Sequence, residues 1–251
     1  MIRIEPDPEA LALAAAGFVA EAARVAAAER GCFSLAVAGG ETPRPAYRSL
    51  ADPTLAAGVP WPDVHVFWGD ERCVRPDDPS SNERAVREAL LDRVPVEPHH
   101  VHPIRCGGDP ERAAESYEAL LRATFTDRAG PTFDLVLLGL GENGHTASLF
   151  PGDPALEESS RWVVPVRVPG QPFARVTLTA GVLNRARAVV FLVSGAAKAA
   201  VLQRVLERSR GPTELPAERI RPQFTEPLWL VDAAAAGRLE APAGTGREER
   251  P

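Results

Sequence analysis

Seven apolar runs of strand length, separated by segments of helical period, restrict the fold of this chain more than any other feature. They cover residues 33–38, 64–69, 133–139, 162–166, 175–179, 188–194 and 228–231. Runs this short and this apolar suit strands covered on both faces, and their alternation with helices suits a parallel sheet. The helices announce their own starts. Ser80 stands three residues before Glu83 in SSNERAVREALLDRV, the spacing of a capping box, and Asp109 precedes Pro110 in DPERAAESYEALLRATF as an N-cap before a first-turn proline. The segment GAAKAAVLQRVLERS follows Ser194 in the same way. The pattern predicts one α/β domain over residues 1–240, with a mostly parallel sheet and helices on both faces, followed by a small, polar, flexible C-terminal tail at 241–251.

Composition excludes several classes of function. The net charge is −6, with 28 basic and 34 acidic residues mixed along the chain, so no electrostatic footprint for nucleic acid or an anionic membrane is present. The stretch ALALAAAGFVA at 10–20 has the apolar character of a signal peptide, but Glu5, Asp7 and Glu9 stand where such a peptide carries basic residues. An amphipathic first helix is expected there, and no apolar run reaches the ~18 residues of a membrane span. Cys32, Cys73 and Cys106 are odd in number, far apart and without C-x-x-C spacing. That usage predicts reduced thiols in a cytoplasmic protein and neither a disulfide framework nor a zinc site.

In folds of this class ligands bind at the carboxyl ends of strands. Four segments occupy such ends: AGGETPR, GDER, GENGHTASLFPG and SGAAK. In the third, Gly139, Gly141 and Gly144 have the G-x-G-x-x-G spacing of a dinucleotide loop, yet Pro151, Gly152 and Pro154 leave no room for the long helix such a loop opens. An NAD-dependent oxidoreductase is disfavoured on that ground, and the glycines are expected to let a loop approach a small ligand and present His145 to it. Every basic residue is arginine except Lys198, which falls in the first turn of a predicted helix, where the macrodipole disfavours a cation by ~0.3–1 kcal/mol. A bound anion reverses that penalty. Gly39, Gly40 and Thr42 open another helix, whose amides can converge on the same anion, so a phosphate site is expected at these residues and Lys198, with Arg44 and Arg175 as further donors. Asp70 and Arg72 follow a buried strand as an acid and a charge-stabilising arginine. An imidazole at His145, flanked by Asn143, titrates near neutrality and suits a general base. His100 and His102 have no carboxylate or cysteine to complete a metal shell, and no G-x-S-x-G elbow is present.

The segments SLAVAGGETPRPAY, VFWGDERCV with DDPSSNERAVREALL, FDLVLLGLGENGHTASLFPG and VTLTAGVLNRARAVVFLVSGAAKAAVL, in this order over most of the chain, resemble the 6-phosphogluconolactonase family. The resemblance implies a Rossmann-like fold shared with glucosamine-6-phosphate deaminase, and hydrolysis of 6-phosphoglucono-δ-lactone in the oxidative pentose phosphate pathway with no metal or organic cofactor. Gly39, Gly40, Thr42, Arg44, Arg175 and Lys198 would hold the phosphate, His145 would activate water, and Arg72 or amides around Gly144 would stabilise the oxyanion. Asp70 would orient sugar hydroxyls or Arg72. Members of the family commonly read Asp-Gly-His, where this chain has Asn143, and an amide orients an imidazole without stabilising its protonated form by a full charge. A deaminase or isomerase acting on a sugar phosphate, and a sugar-phosphate-binding module without turnover, are the alternatives. The expected partner is the small-molecule lactone, with no nucleic acid or membrane, and the chain is expected to be a monomer or weak homo-oligomer.

Overall fold

The protein is described by a computed structural model at residues 1–125, 130–207 and 214–239. The tail predicted at 241–251, and the last residues of the helix predicted after Ser194, lie outside these described residues. The strands are β1 (Ile2–Glu5), β2 (Phe33–Val37), β3 (Val64–Trp68), β4 (Asp70–Arg72), β5 (Val101–His102), β6 (Leu135–Gly139), β7 (Val163–Val166), β8 (Arg175–Leu178), β9 (Ala188–Val193) and β10 (Leu228–Asp232). The helices are α1 (Pro8–Arg30), α2 (Pro43–Leu50), α3 (Pro53–Ala56), α4 (Asn82–Ala89), α5 (Pro110–Thr124), α6 (Ala180–Leu183) and α7 (Ala199–Glu207).

Seven strands form one parallel sheet in the order β1-β10-β9-β6-β2-β3-β5. Its central strands are largely apolar because both faces are covered; β2 is buried at all five positions, Ser34 included. Two of the expected strands depart from this sheet. They form a second, antiparallel sheet in which β8 lies between β7 and β4 and pairs with both. The connection from Val166 to Arg175 is too short for the crossover that parallel neighbours require, and Pro165 in β7 lacks a ladder donor. β1, β4 and β5 were not expected: β5 has two residues, and β1 alternates exposed apolar and charged side chains at the sheet edge.

Helix α1 starts at Asp7, whose carboxylate accepts from the Ala10 amide, and stops at Gly31, left-handed at φ 77°. Leu11, Ala12, Ala15, Ala16, Val19, Ala23 and Ala26 are buried on its inner side, where small side chains allow close approach to the sheet and to α2. By length and by a mean hydropathy of 1.6 over 18 residues this helix is apolar enough to cross a membrane, although it carries Glu21 and Arg24. For α4 the cap is Ser81 and not Ser80: Ser81 Oγ accepts from the Arg84 amide at 3.2 Å. Glu83, expected to close a capping box, instead pairs with Arg87 and Arg105. Glu71 takes its place from β4, accepting from the amides of Asn82 and Glu83 at 2.7 and 2.6 Å. Asp109 caps α5 as expected.

The thiol reading is corrected for two of three cysteines. Cys73, just after β4, and Cys106, in the loop before α5, form a disulfide with Cα atoms 5.0 Å apart, while Cys32 is free and exposed. Their separation of 33 residues hides a proximity created when the chain leaves β3 for the second sheet.

The chain builds β3 and β5 on one side of β2, then β6, β9 and β10 on the other. The loops leaving β2 and β6 therefore diverge, and a crevice opens between them at the carboxyl ends of the strands, where α/β sheets bind ligands.

Candidate active site

The crevice is a cleft of about 340 Å³. Gly39, Gly40, Thr42, Asp70, Arg72, His145, Arg175 and Lys198 all line it, drawn from the ends of β2, β6 and β9 and from both β4 and β8. Of the other expected residues, Arg44 faces Glu41 at 3.4 Å outside the cleft, and Asn143 and Gly144 act from behind His145. A wider depression of about 630 Å³ lies beside Glu111 and Arg161, whose charges are spent on each other at 2.6 Å.

The anion loop is held by Tyr47 of α2. Its hydroxyl accepts from the Ala38 amide and donates to the Ala38 carbonyl, at 3.0 and 2.8 Å. Gly40 adopts φ 93°, and Thr42, which leads into α2, makes no side-chain capping bond, so its hydroxyl is not committed to the helix. Lys198 ends the turn Ala196–Lys198 that precedes α7, at the amide-rich end of that helix. The turn is fixed by Asp232 at the end of β10, fully buried, which accepts from Ser194 Oγ and from the Gly195 amide. Lys198 Nζ faces the exposed Glu142, at 3.8 Å.

In β4 and β8, Arg72 lies directly across from Arg175, and Asp70 from Thr177. Burial, and then repulsion from the Arg72 guanidinium beside it, lowers the Arg175 pKa, although arginine stays charged. Asp70, 6% exposed, offsets the repulsion: its carboxylate accepts from Ser148 Oγ at 2.6 Å and faces Arg175 Nη1 at 3.8 Å. Arg175 is further held by Gln171 through Nε and Nη2. Arg72 donates through Nη1 to the Ser80 carbonyl, and its buried Nε meets no acceptor among the described residues. Glu71, between them in sequence, turns away to cap α4; burial pushes its carboxyl up to about 7, opposed by the amides that bond it.

His145 is placed by the glycines around it. A Cβ at Gly141 would stand 2.0 Å from the imidazole, and one at Gly144, left-handed at φ 81°, would collide with Leu215. The ring stacks on Phe150 with centroids 4.4 Å apart. Asn143 Oδ1 lies 3.2 Å from the His145 backbone nitrogen and 2.6 Å from Nδ1. A backbone N–H can only donate, so the atom it meets is the amide oxygen, and Nδ1 must also donate to it. That leaves the lone pair on Nε2. Burial, then Arg175, lowers the imidazole pKa to about 4, with Asp70 opposing, so the ring is neutral near pH 7. Ala147, in the same loop, is the only non-glycine residue with positive φ among those described, at 47°.

The other histidines form a separate group at the sheet edge. The rings of His65 and His100 stack at 3.7 Å, and His65 Nδ1 lies 3.3 Å from His102 Nε2. Among the described residues no group of three or more His, Cys, Asp or Glu is gathered as a metal shell. Asn82, Ser148 and Asp232 were not anticipated. Ser148 and Asn82 lie inside the quoted motifs, but only the fold shows their side chains meeting Asp70.

The family model for glucosamine-6-phosphate isomerases and 6-phosphogluconolactonase matches residues 6–229. The chain belongs to this family. It is 46% identical over 217 residues to the 6-phosphogluconolactonase of a Synechocystis species, covering 85% of this chain and 88% of that protein. The 6-phosphogluconolactonase of a Nostoc species is 39% identical over 95% of this chain and 98% of its own length. Among solved structures, that of 6-phosphogluconolactonase from Trypanosoma brucei superposes with a TM-score of 0.84 at 31% identity, covering 95% of this chain and 98% of that one.

Proposed function

We infer that the protein hydrolyses 6-phosphoglucono-δ-lactone to 6-phosphogluconate, the lactone-opening step of the oxidative pentose phosphate pathway. The observation that carries this reading is a neutral imidazole with a bare Nε2 in the same small cleft as a lysine and two arginines, in a chain whose relatives are 6-phosphogluconolactonases. The amides of Gly39 and Gly40, the Thr42 hydroxyl and Lys198 bind the phosphate and so fix the lactone relative to the β6 loop. Arg44 faces Glu41 outside the cleft and takes no part in this reading.

Water then attacks C1 of the lactone, giving its proton to His145 Nε2. Arg72 and Arg175 stabilise the negative charge that develops on the carbonyl oxygen. The tetrahedral intermediate breaks its C1–O5 bond, and the imidazolium returns the proton to O5. The product acid ionises in water. Asp70 keeps Arg175 in place, and Asn143 holds the tautomer. A neutral amide at position 143 suits this cycle, in which the imidazolium is brief, better than a deaminase relay that uses a carboxylate there. A cytoplasmic setting belongs to the same reading, with the Cys73–Cys106 bridge as the feature at odds with it.

The test is lactone opening measured above the spontaneous rate with freshly made substrate. His145→Ala is expected to lower kcat by about 10²–10⁴-fold; an unchanged kcat removes His145 from the mechanism.

A further inference from the structure

Asn82, the first residue of α4, lines the cleft and is 1% exposed. Its backbone is fixed by Glu71, which accepts from its amide. Its side chain is fixed as firmly. Nδ2 donates to the Asp70 carbonyl at 2.9 Å and to Asp70 Oδ1 at 3.3 Å. Both partners accept only, so both amide hydrogens are committed and the oxygen must face the other way. It faces the first glycine of the anion loop: a Cβ at Gly39 would stand 1.8 Å from Oδ1. No donor among the described residues reaches this oxygen. Asn82 lines the cleft, so a donor for this oxygen can come from what the cleft binds.

We propose that Asn82 Oδ1 accepts a hydrogen bond from a ring hydroxyl of the sugar lactone, which makes Asn82 a specificity-determining residue. The inference rests on the lactonase reading given above. Asn82 joins the phosphate loop at Gly39 to the strand that carries Asp70 and Arg72, so a donor reaching Oδ1 lies between the phosphate end and the reacting end of the substrate. In a δ-lactone phosphorylated at C6 the groups in that interval are the hydroxyls on C2, C3 and C4. A neutral acceptor suits them: unlike a carboxylate, it adds no repulsion toward the nearby Asp70 or the phosphate. A site built to bond a hydroxyl rejects the analogue that lacks it, because the buried acceptor is then unpaired.

The experiment measures kcat/KM for the parent lactone 6-phosphate and its 2-deoxy, 3-deoxy and 4-deoxy analogues, on the wild type, Asn82→Ala and Asn82→Ser. The wild type is expected to lose at least about tenfold on one analogue, and both variants to distinguish that analogue from the parent by less than about threefold. Wild-type discrimination preserved in both variants would mean Asn82 serves only Asp70, and would overturn the proposal. The wild-type series needs no variant: full activity on all three analogues overturns it as well. A wild type that opens no lactone above the spontaneous rate would instead sink the lactonase reading.

Discussion

At His145, burial first and then the charges of Arg175, Lys198 and Arg72 hold the imidazole down to about 4, against the opposing pull of Asp70. The unfolded chain has an ordinary histidine near 6.5. Folding thus favours the neutral ring: the associated stability is complete above the ordinary value and is lost as pH falls toward the folded one. The same shift governs catalysis. In the free enzyme Nε2 stays unprotonated well into the acid range, so kcat/KM is expected to remain level from neutral pH downward and to fall only near the shifted value. Bound phosphate offsets the cations, so the acid limb of kcat is expected at higher pH than that of kcat/KM. Initial rates measured across this range with the lactone check both points, and a kcat/KM limb at the ordinary histidine value would show that neither burial nor the cations act on the base. His145 was legible in the sequence because a glycine-rich loop at a strand end has few other uses. Its tautomer was not, since that depends on two distances to one oxygen of Asn143.

Among the elements, β4 does most to assemble the site and was the least visible beforehand. Three residues long, it lacks the length from which a period can be read, and Asp70, Glu71 and Arg72 look like an exposed charged loop. Pairing with β8 directs Asp70 and Arg72 toward the cleft and sends Glu71 to the end of α4. The Cys73–Cys106 bridge fastens the end of this strand to the segment before α5. Closing a loop of 33 residues is worth roughly 3–4 kcal/mol by loss of chain entropy in the unfolded state. The Cys73→Ser, Cys106→Ser double variant is therefore expected to melt on the order of 10 °C below the oxidised protein. Calorimetry under oxidising conditions checks this, and equal melting temperatures would show that the bridge adds nothing to stability.

For the molecule as a whole, the strand-helix alternation was readable because buried parallel strands leave continuous apolar runs, as in β2, β6 and β9. The division into two sheets was not, because β7 and β8 have the same apolar look as their parallel neighbours and only their short connection separates them. The cleft follows from the strand order, with the β2 and β6 loops parting at the switch point, and this brings Lys198 and His145 from distant parts of the chain into one cavity. That juxtaposition is the central claim, and it is tested most directly by comparing phosphorylated and unphosphorylated glucono-δ-lactone on Lys198→Ala and His145→Ala. If the lysine binds phosphate while the histidine serves the ring, Lys198→Ala should raise KM for the phosphorylated lactone at least about tenfold and leave the slow turnover of the unphosphorylated one unchanged. His145→Ala should lower turnover of both by about 10²–10⁴-fold. Equal losses on the two lactones in the lysine variant, or no loss on either, would contradict the account.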